Sequence, residues 1–168
     1  MTPANKAVTN RRKVMPRFEN SPANVVATME VFPKDDYLFG IGEPKPFFRQ
    51  NSKGQDSYGI RLSLTVKEGA YEKKRTVVSL YEHSEGAQMM GKQFKMAALG
   101  YGKGRAEEQR FDAEWGTKDW SFDTDSGAVG DGWRELTGKL IIGSLDVGIN
   151  ENSGDEQQQF KGWRVAGK

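Results

Sequence analysis

The 168-residue chain has no cysteine, and its single histidine is His83. Disulfides, thiolate nucleophiles, iron–sulfur clusters and cysteine zinc sites are therefore excluded, and one imidazole cannot build a histidine cluster around a transition metal. No apolar run approaches the ~18 residues that cross a bilayer, and the mean hydropathy is −0.74. The basic stretch Arg11, Arg12 and Lys13 is not followed by an apolar segment, so the N-terminal region does not read as a secretory signal. These absences predict a cytoplasmic protein with no membrane span, no cofactor and no bound metal. The length suits one domain with one core.

Charge is plentiful and unevenly placed. Residues 1–105 carry 18 Lys and Arg against 10 Asp and Glu, whereas residues 106–168 carry 7 against 13, so a net charge of +2 hides two halves of opposite sign. A basic part of this kind fits a polyanionic partner and fits a solvated basic face equally well.

Residues 1–30, with Pro3, Pro16, Pro22 and five basic residues, show no sustained periodicity and read as a basic arm, with Val25 to Phe32 open to an added strand. The domain proper spans 31–168. Tyr37 to Ile41 and, after Gly42 and Pro44, Phe47 and Phe48 predict a long first strand that is bent or bulged. Asn51 to Gly54 is a turn. Tyr58, Ile60, Leu62, Leu64 and Val66 alternate with Gly59, Arg61, Ser63, Thr65 and Lys67, as in a strand with one face in a core. After a tight connection at Lys67 to Tyr71, a third strand over Arg75 to Glu82 has Val78 and Leu80 on one face and Val77, Ser79 and Tyr81 on the other. Ser84 can cap a helix whose apolar stripe is Ala87, Met90, Phe94, Ala97 and Ala98, ended by Gly100 and Gly102. A short second helix, Ala106 to Trp115, precedes the loop Asp119 to Asp125. Strand character resumes over Leu136 to Ile149 and again over Gln159 to Ala166, with Glu151 to Gln159 as a long hairpin loop. A mainly β fold follows, with a helical segment between strands three and four. That is the order of an OB fold, a five-stranded Greek-key barrel, which would bury Ile60, Leu62, Leu64, Val78, Leu80 and Ile142.

Little in this chain resembles catalytic machinery. His83 and Ser84 are chain neighbours and do not face each other as a base and a nucleophile must. Gly100 to Gly104 lacks the GK[ST] of a phosphate loop and follows a helix instead of a strand, so it reads as a helix C-terminus. Asp112, Glu114, Asp119, Asp123, Asp125 and Asp131 match no calcium-loop spacing; a metal-dependent nuclease using them is a minor alternative.

The strongest pattern interleaves aromatic and basic residues. Lys45, Phe47, Phe48, Arg49 and Lys53 lie on the first strand and its turn, Tyr58 and Arg61 on the second, Tyr81 on the third, and Lys161, Trp163 and Arg164 with Phe160 on the last. Cations that meet phosphates and rings that stack on bases are what single-stranded nucleic acid requires. Adjacent Phe47 and Phe48 cannot share a face, so one of them points toward the core, and Trp163 equally fits a core position.

The run from Asp36 through Ala87, the helix ending AALGYG, and the later ELTGKLIIGSLDV and FKGWRV together resemble a group of bacteriophage OB-fold proteins encoded among replication and recombination genes and regarded as single-stranded DNA-binding proteins. The resemblance covers Asp36 to Val165. It implies non-catalytic DNA binding in a barrel groove, with Lys45, Arg49 and Arg61 toward phosphates and Phe47, Tyr58 and Trp163 toward bases. Many single-stranded DNA-binding proteins end in an acidic tail, and this chain ends in Val165-Ala166-Gly167-Lys168 instead. The internal acidic stretch 107–131 is then the candidate for contacts with replication or recombination proteins. The competing reading is a protein-interaction or virion structural module in which the same aromatic and basic residues form a subunit interface of a homo-oligomer.

Overall fold

Strict alternation over Ile60 to Val66 gives a strand with one buried face and one open face, and the rest of the sheet is built around it. The computed structural model describes residues 31–167. The strands are β1 (Asp35–Gln50), β2 (Asp56–Val66), β3 (Arg75–Tyr81), β4 (Leu140–Ile149) and β5 (Glu156–Val165). They form one antiparallel sheet in the order β3-β2-β1-β4-β5. Three helices separate β3 from β4: α1 (Glu85–Ala98), α2 (Arg105–Trp115) and the single turn α3 (Asp131–Arg134). The protein is thus mainly β. The sheet is open where a closed barrel was expected, with β3 and β5 as its edges.

Phe39, Ile41, Ile60, Leu62, Leu64, Val78, Leu80, Ile141 and Leu145 line the covered face. Phe94, Ala97 and Ala98 of α1 and Trp133 and Leu136 close over them. Each fully buried aliphatic side chain contributes about 1.5–3 kcal/mol of transfer free energy. Helix α1 starts where its sequence directs: the Ser84 hydroxyl accepts the Ala87 N–H at 3.2 Å. It ends at Leu99, before Gly100 in a left-handed conformation (φ 91°). Its buried side packs on both edge strands, β3 and β5. A second, smaller cluster of Met96, Tyr101 and Phe111 holds α2.

Several boundaries depart from the periodicity reading. Strand β4 begins at Leu140, because Asp131 to Gly138 forms α3 and a tight turn that sends Leu136 into the core. Its buried position is Ile141, opposite Phe39, and Ile142 is only half-buried. Strand β5 takes in Glu156 to Gln159, shortening the hairpin loop to 150–155. The β2–β3 connection runs on to Lys74, through Lys73 at φ 74°. Phe32 is fully buried against Tyr37 and Tyr71 but precedes β1 without joining a strand. The proposed arm, residues 1–30, lies outside the described residues.

Candidate nucleic-acid interface

The site begins with an extra residue in β1. Ile41 pairs with Leu64 but Pro44 pairs with Leu62, so Gly42 and Glu43 together face Ser63. Gly42 suits this crowded point, since a Cβ there would meet the Ser63 Oγ at 2.1 Å. Before the bulge the odd residues Tyr37, Phe39 and Ile41 are buried in the core. Beyond it the alternation is inverted, and Lys45, Phe47 and Arg49 stand on the face of the sheet opposite Ile60 and Leu62.

Two rows of residues cross that outer face. Phe47, Gly59 and Tyr81 are register partners across β1, β2 and β3, as are Lys45, Arg61 and Ser79. Gly59 permits the close approach of β2 and β3, because a Cβ would lie 2.0 Å from the Leu80 carbonyl oxygen. The Arg61 guanidinium lies 4.5 Å from the centroid of the Phe47 ring, and the Tyr81 ring meets the same ring edge-on at 5.3 Å. Phe47 is therefore buried beneath its neighbours, and Arg61 and Tyr81 form the accessible layer. Phe48 and Tyr58 face each other on the opposite side, past the end of the core, and are 54% and 37% exposed. Of the pair Phe47 is the buried ring and Phe48 the exposed one, but Phe47 packs under Arg61 and Tyr81 on the outer face and stands apart from the main core cluster.

The rings form a continuous path. Tyr81 lies 5.5 Å from His83, His83 lies 6.1 Å from Tyr58, and Tyr58 lies 6.2 Å from Phe122 in the loop after α2. His83 and Phe122 were not among the expected site residues. Position i+2 from Tyr81 was the legible signal for His83, since alternate residues at a strand end share a side. Phe122 arrives through tertiary folding and had no local signal.

The charges on this face and its adjoining turn have no counterion among the described residues. Lys45, Arg49, Lys53 and Arg61 form no ion pair with any described residue. Lys45 sits directly across from Arg61, a like-charge cross-strand pair that costs stability. Lys53 lies in the β1–β2 turn, where the Asn51 side chain accepts backbone N–H groups from Lys53 and Gln55 at 2.9 Å each.

The β5 residues are placed elsewhere. Trp163 is a core residue: it lies opposite Gly143, meets Phe94 edge-on at 4.7 Å and stacks on Phe160 at 5.4 Å. A Cβ on Gly143 would meet that indole at 2.7 Å, so the glycine makes the room the tryptophan fills. Its ring offers no face to a base. Arg164 pairs with Asp36 at 2.9 Å, and Lys161 sits exposed at a second bulge, between β4 and β5. Neither joins the outer-face cluster. The Arg164 ion pair and a hydrogen bond from Ser144 hold the Asp36 carboxyl below its ordinary value, the Ser144 bond being the larger cause.

On the helical side the carboxylates of α2 and α3 are paired with nearby groups. Lys92 bridges Glu108 and Asp112 at 2.8 Å each, Arg110 pairs with Glu107 at 2.9 Å, and Arg134 pairs with Asp131. The Tyr101 hydroxyl bonds Glu114; burial first, then that carboxylate, raises the phenol above its ordinary range. Lys95 places its ammonium 4.4 Å from the centroids of both Trp120 and Trp133, whose rings meet at 5.2 Å. Burial lowers the Lys95 pKa, and burial likewise raises that of Glu82, whose Oε2 has no hydrogen-bond partner among the described residues. Among the described residues no three His, Asp or Glu side chains converge as metal ligands would, and no helix is long and apolar enough to cross a membrane. No family model and no curated protein sequence matches the chain.

Proposed function

We propose that the protein binds single-stranded DNA, without catalysis, on the outer face of β1–β3 and along the ring path through His83 to Tyr58 and Phe48. The observation that carries this reading is a set of four cations with no ion pair to any described residue, Lys45, Arg49 and Arg61 on the outer face and Lys53 in the adjoining turn, beside the Phe47 and Tyr81 rings of that face. A polyanion relieves the repulsion of Lys45 and Arg61, and unpaired bases have the free faces that Tyr81, Tyr58 and Phe48 can stack on. The architecture is compatible: the fourth strand lies beside the first, the first three are sequential neighbours, and the helices fall between strands three and four. This order is compatible with a Greek key and with an OB fold, in which the second and third strands form the usual oligonucleotide face. The reading also agrees with the resemblance to bacteriophage single-stranded DNA-binding proteins.

The test is a fluorescence-anisotropy titration of an end-labelled oligo-dT of about 30 nucleotides at low and moderate salt, with a duplex and an RNA strand of the same length as controls. A labelled strand is preferable to tryptophan emission, because Trp133 and Trp163 are buried. Binding that prefers the single strand and weakens steeply with salt is expected. Absence of binding at low salt, or equal binding of the duplex, overturns the reading.

A further inference from the structure

A second concave surface lies away from the aromatic face. It is an open groove of about 1060 Å³ between α1, the loop 100–104, the start of α2 and β5. Its floor contains Met96, Ala97 and Trp163, and Met89 stands exposed at its rim. The cations Lys92, Arg110 and Arg164 that line it are neutralised by carboxylates, but Lys103, Arg105 and Lys161 form no ion pair with any described residue. No ring is offered for stacking here, since Tyr101 and Trp163 are both buried. The groove is thus built for carboxylates and small apolar contacts more than for bases.

The complementary surface is on the same chain, at the other end of α2. The loop following that helix exposes Asp119, Asp123 and Asp125. Its tip is preformed: the Asp123 N–H donates to the Ala128 carbonyl at 2.9 Å, Gly127 donates to Asp123 at 2.8 Å, and the Asp123 carboxylate accepts the Asp125 N–H at 2.9 Å. Phe122 and Trp120 anchor the loop in the body of the protein, and its one cation, Lys118, lies 5.4 Å from the Trp115 ring. The groove takes in the first turns of α2 and the loop leaves its last, about 16 Å away along an 11-residue helix, so the two patches are distinct.

We infer that the groove receives the 119–125 loop of a second copy, so that molecules associate head to tail. Three unpaired cations meet three exposed carboxylates, and because the two surfaces are different patches the contact is heterologous and repeats from molecule to molecule. Contiguous coating of a DNA strand would be its use, a consequence that rests on the function proposed above; the association itself does not.

The experiment is sedimentation velocity on the full chain without nucleic acid, across concentration and salt, with two charge-reversed variants: Asp123→Lys with Asp125→Lys, and Lys103→Glu with Arg105→Glu. Wild type is expected to associate beyond a dimer as concentration rises, weakening about tenfold as salt screens the contact. Each variant alone is expected to remain monomeric, since basic then meets basic or acidic meets acidic. An equimolar mixture is expected to associate again, because each reversed surface matches the other. Circular dichroism spectra superimposable on wild type establish that the variants are folded. A wild type that stays monomeric at low salt, association indifferent to either reversal, or a mixture that fails to recover overturns the inference. None of these results depends on DNA binding, so the two proposals fail separately.

Discussion

The outer face of β1–β3 and the helical side of the molecule handle charge in opposite ways. Around α2 the cations Lys92 and Arg110 each face two carboxylates, and Lys95 sits over two indole rings. On the sheet face Lys45 and Arg61 confront each other, and Arg49 and Lys53 have no described counterion. Local pairing suits a surface whose task is to hold the fold together. Unrelieved repulsion suits a surface completed by something else. If the contrast is real, substitutions on the two sides will separate stability from affinity.

The largest effect is expected on the helical side, at Trp133. It is fully buried, its indole N–H donates to the Trp120 carbonyl at 2.7 Å, and it carries Lys95. Trp133→Ala should cost about 3–5 kcal/mol in a urea unfolding experiment. At a temperature where the variant remains folded, its affinity for oligo-dT should stay within a few-fold of wild type. Second comes the double reversal Lys45→Glu with Arg61→Glu, which should lower affinity on the order of 100-fold while leaving the unfolding midpoint near wild type. The milder Lys45→Ala should reduce the slope of log affinity against log salt by about 0.7. A substantial loss of stability in the double reversal would place the cations among the fold's own supports and erase the contrast.

Tyr58→Ala should weaken oligo-dT binding about tenfold, the effect of losing one stacked base. A loss of affinity for duplex by the same factor would show that the ring supports the surface instead of stacking. The smallest effect concerns Glu82, at the boundary between the two regions. Burial raises its folded pKa above its ordinary value of 4.5. The folded state then holds the proton more tightly than the unfolded chain does, so stability falls as pH rises through and above that range. Glu82→Gln should melt higher than wild type at pH 8, and the gap should shrink as pH falls toward the ordinary glutamate value. A gap that widens on acidification would refute the assignment.

Much of this contrast was legible in the sequence, and the exceptions have physical causes. The alternation in β2 and β3 is unbroken, so the outer residues Arg61, Ser79 and Tyr81 could be placed from parity alone, and Ser84 declared the start of α1. Parity is silent where apolar residues run together. Leu140, Ile141 and Ile142 offer no alternation, and only the pairing of Ile141 with Phe39 decides which one is buried. Trp163 carried the same composition signal as Tyr58, an aromatic among basic residues. What separates them is the space over Gly143 and the arrival of Phe94 from α1, neither of which is local in sequence. Phe122 joined the ring path for the same kind of reason. Leu136 read as the start of a strand because it is apolar, but it reaches the core from a turn.

The single extra residue at Gly42 and Glu43 behaves like a frameshift written in geometry. Strict alternation from Ile41 onward, without the bulge, would carry Lys45, Phe47 and Arg49 toward the interior and Pro46 and Phe48 outward; deleting either residue instead removes the bulge and leaves every downstream side chain of β1 on the face it has now. The extra residue is absorbed where it stands, and the pairing from Pro44 with Leu62 onward keeps its phase. A lineage can therefore gain or lose one codon at this point and keep the face, because the bulge absorbs the difference in length.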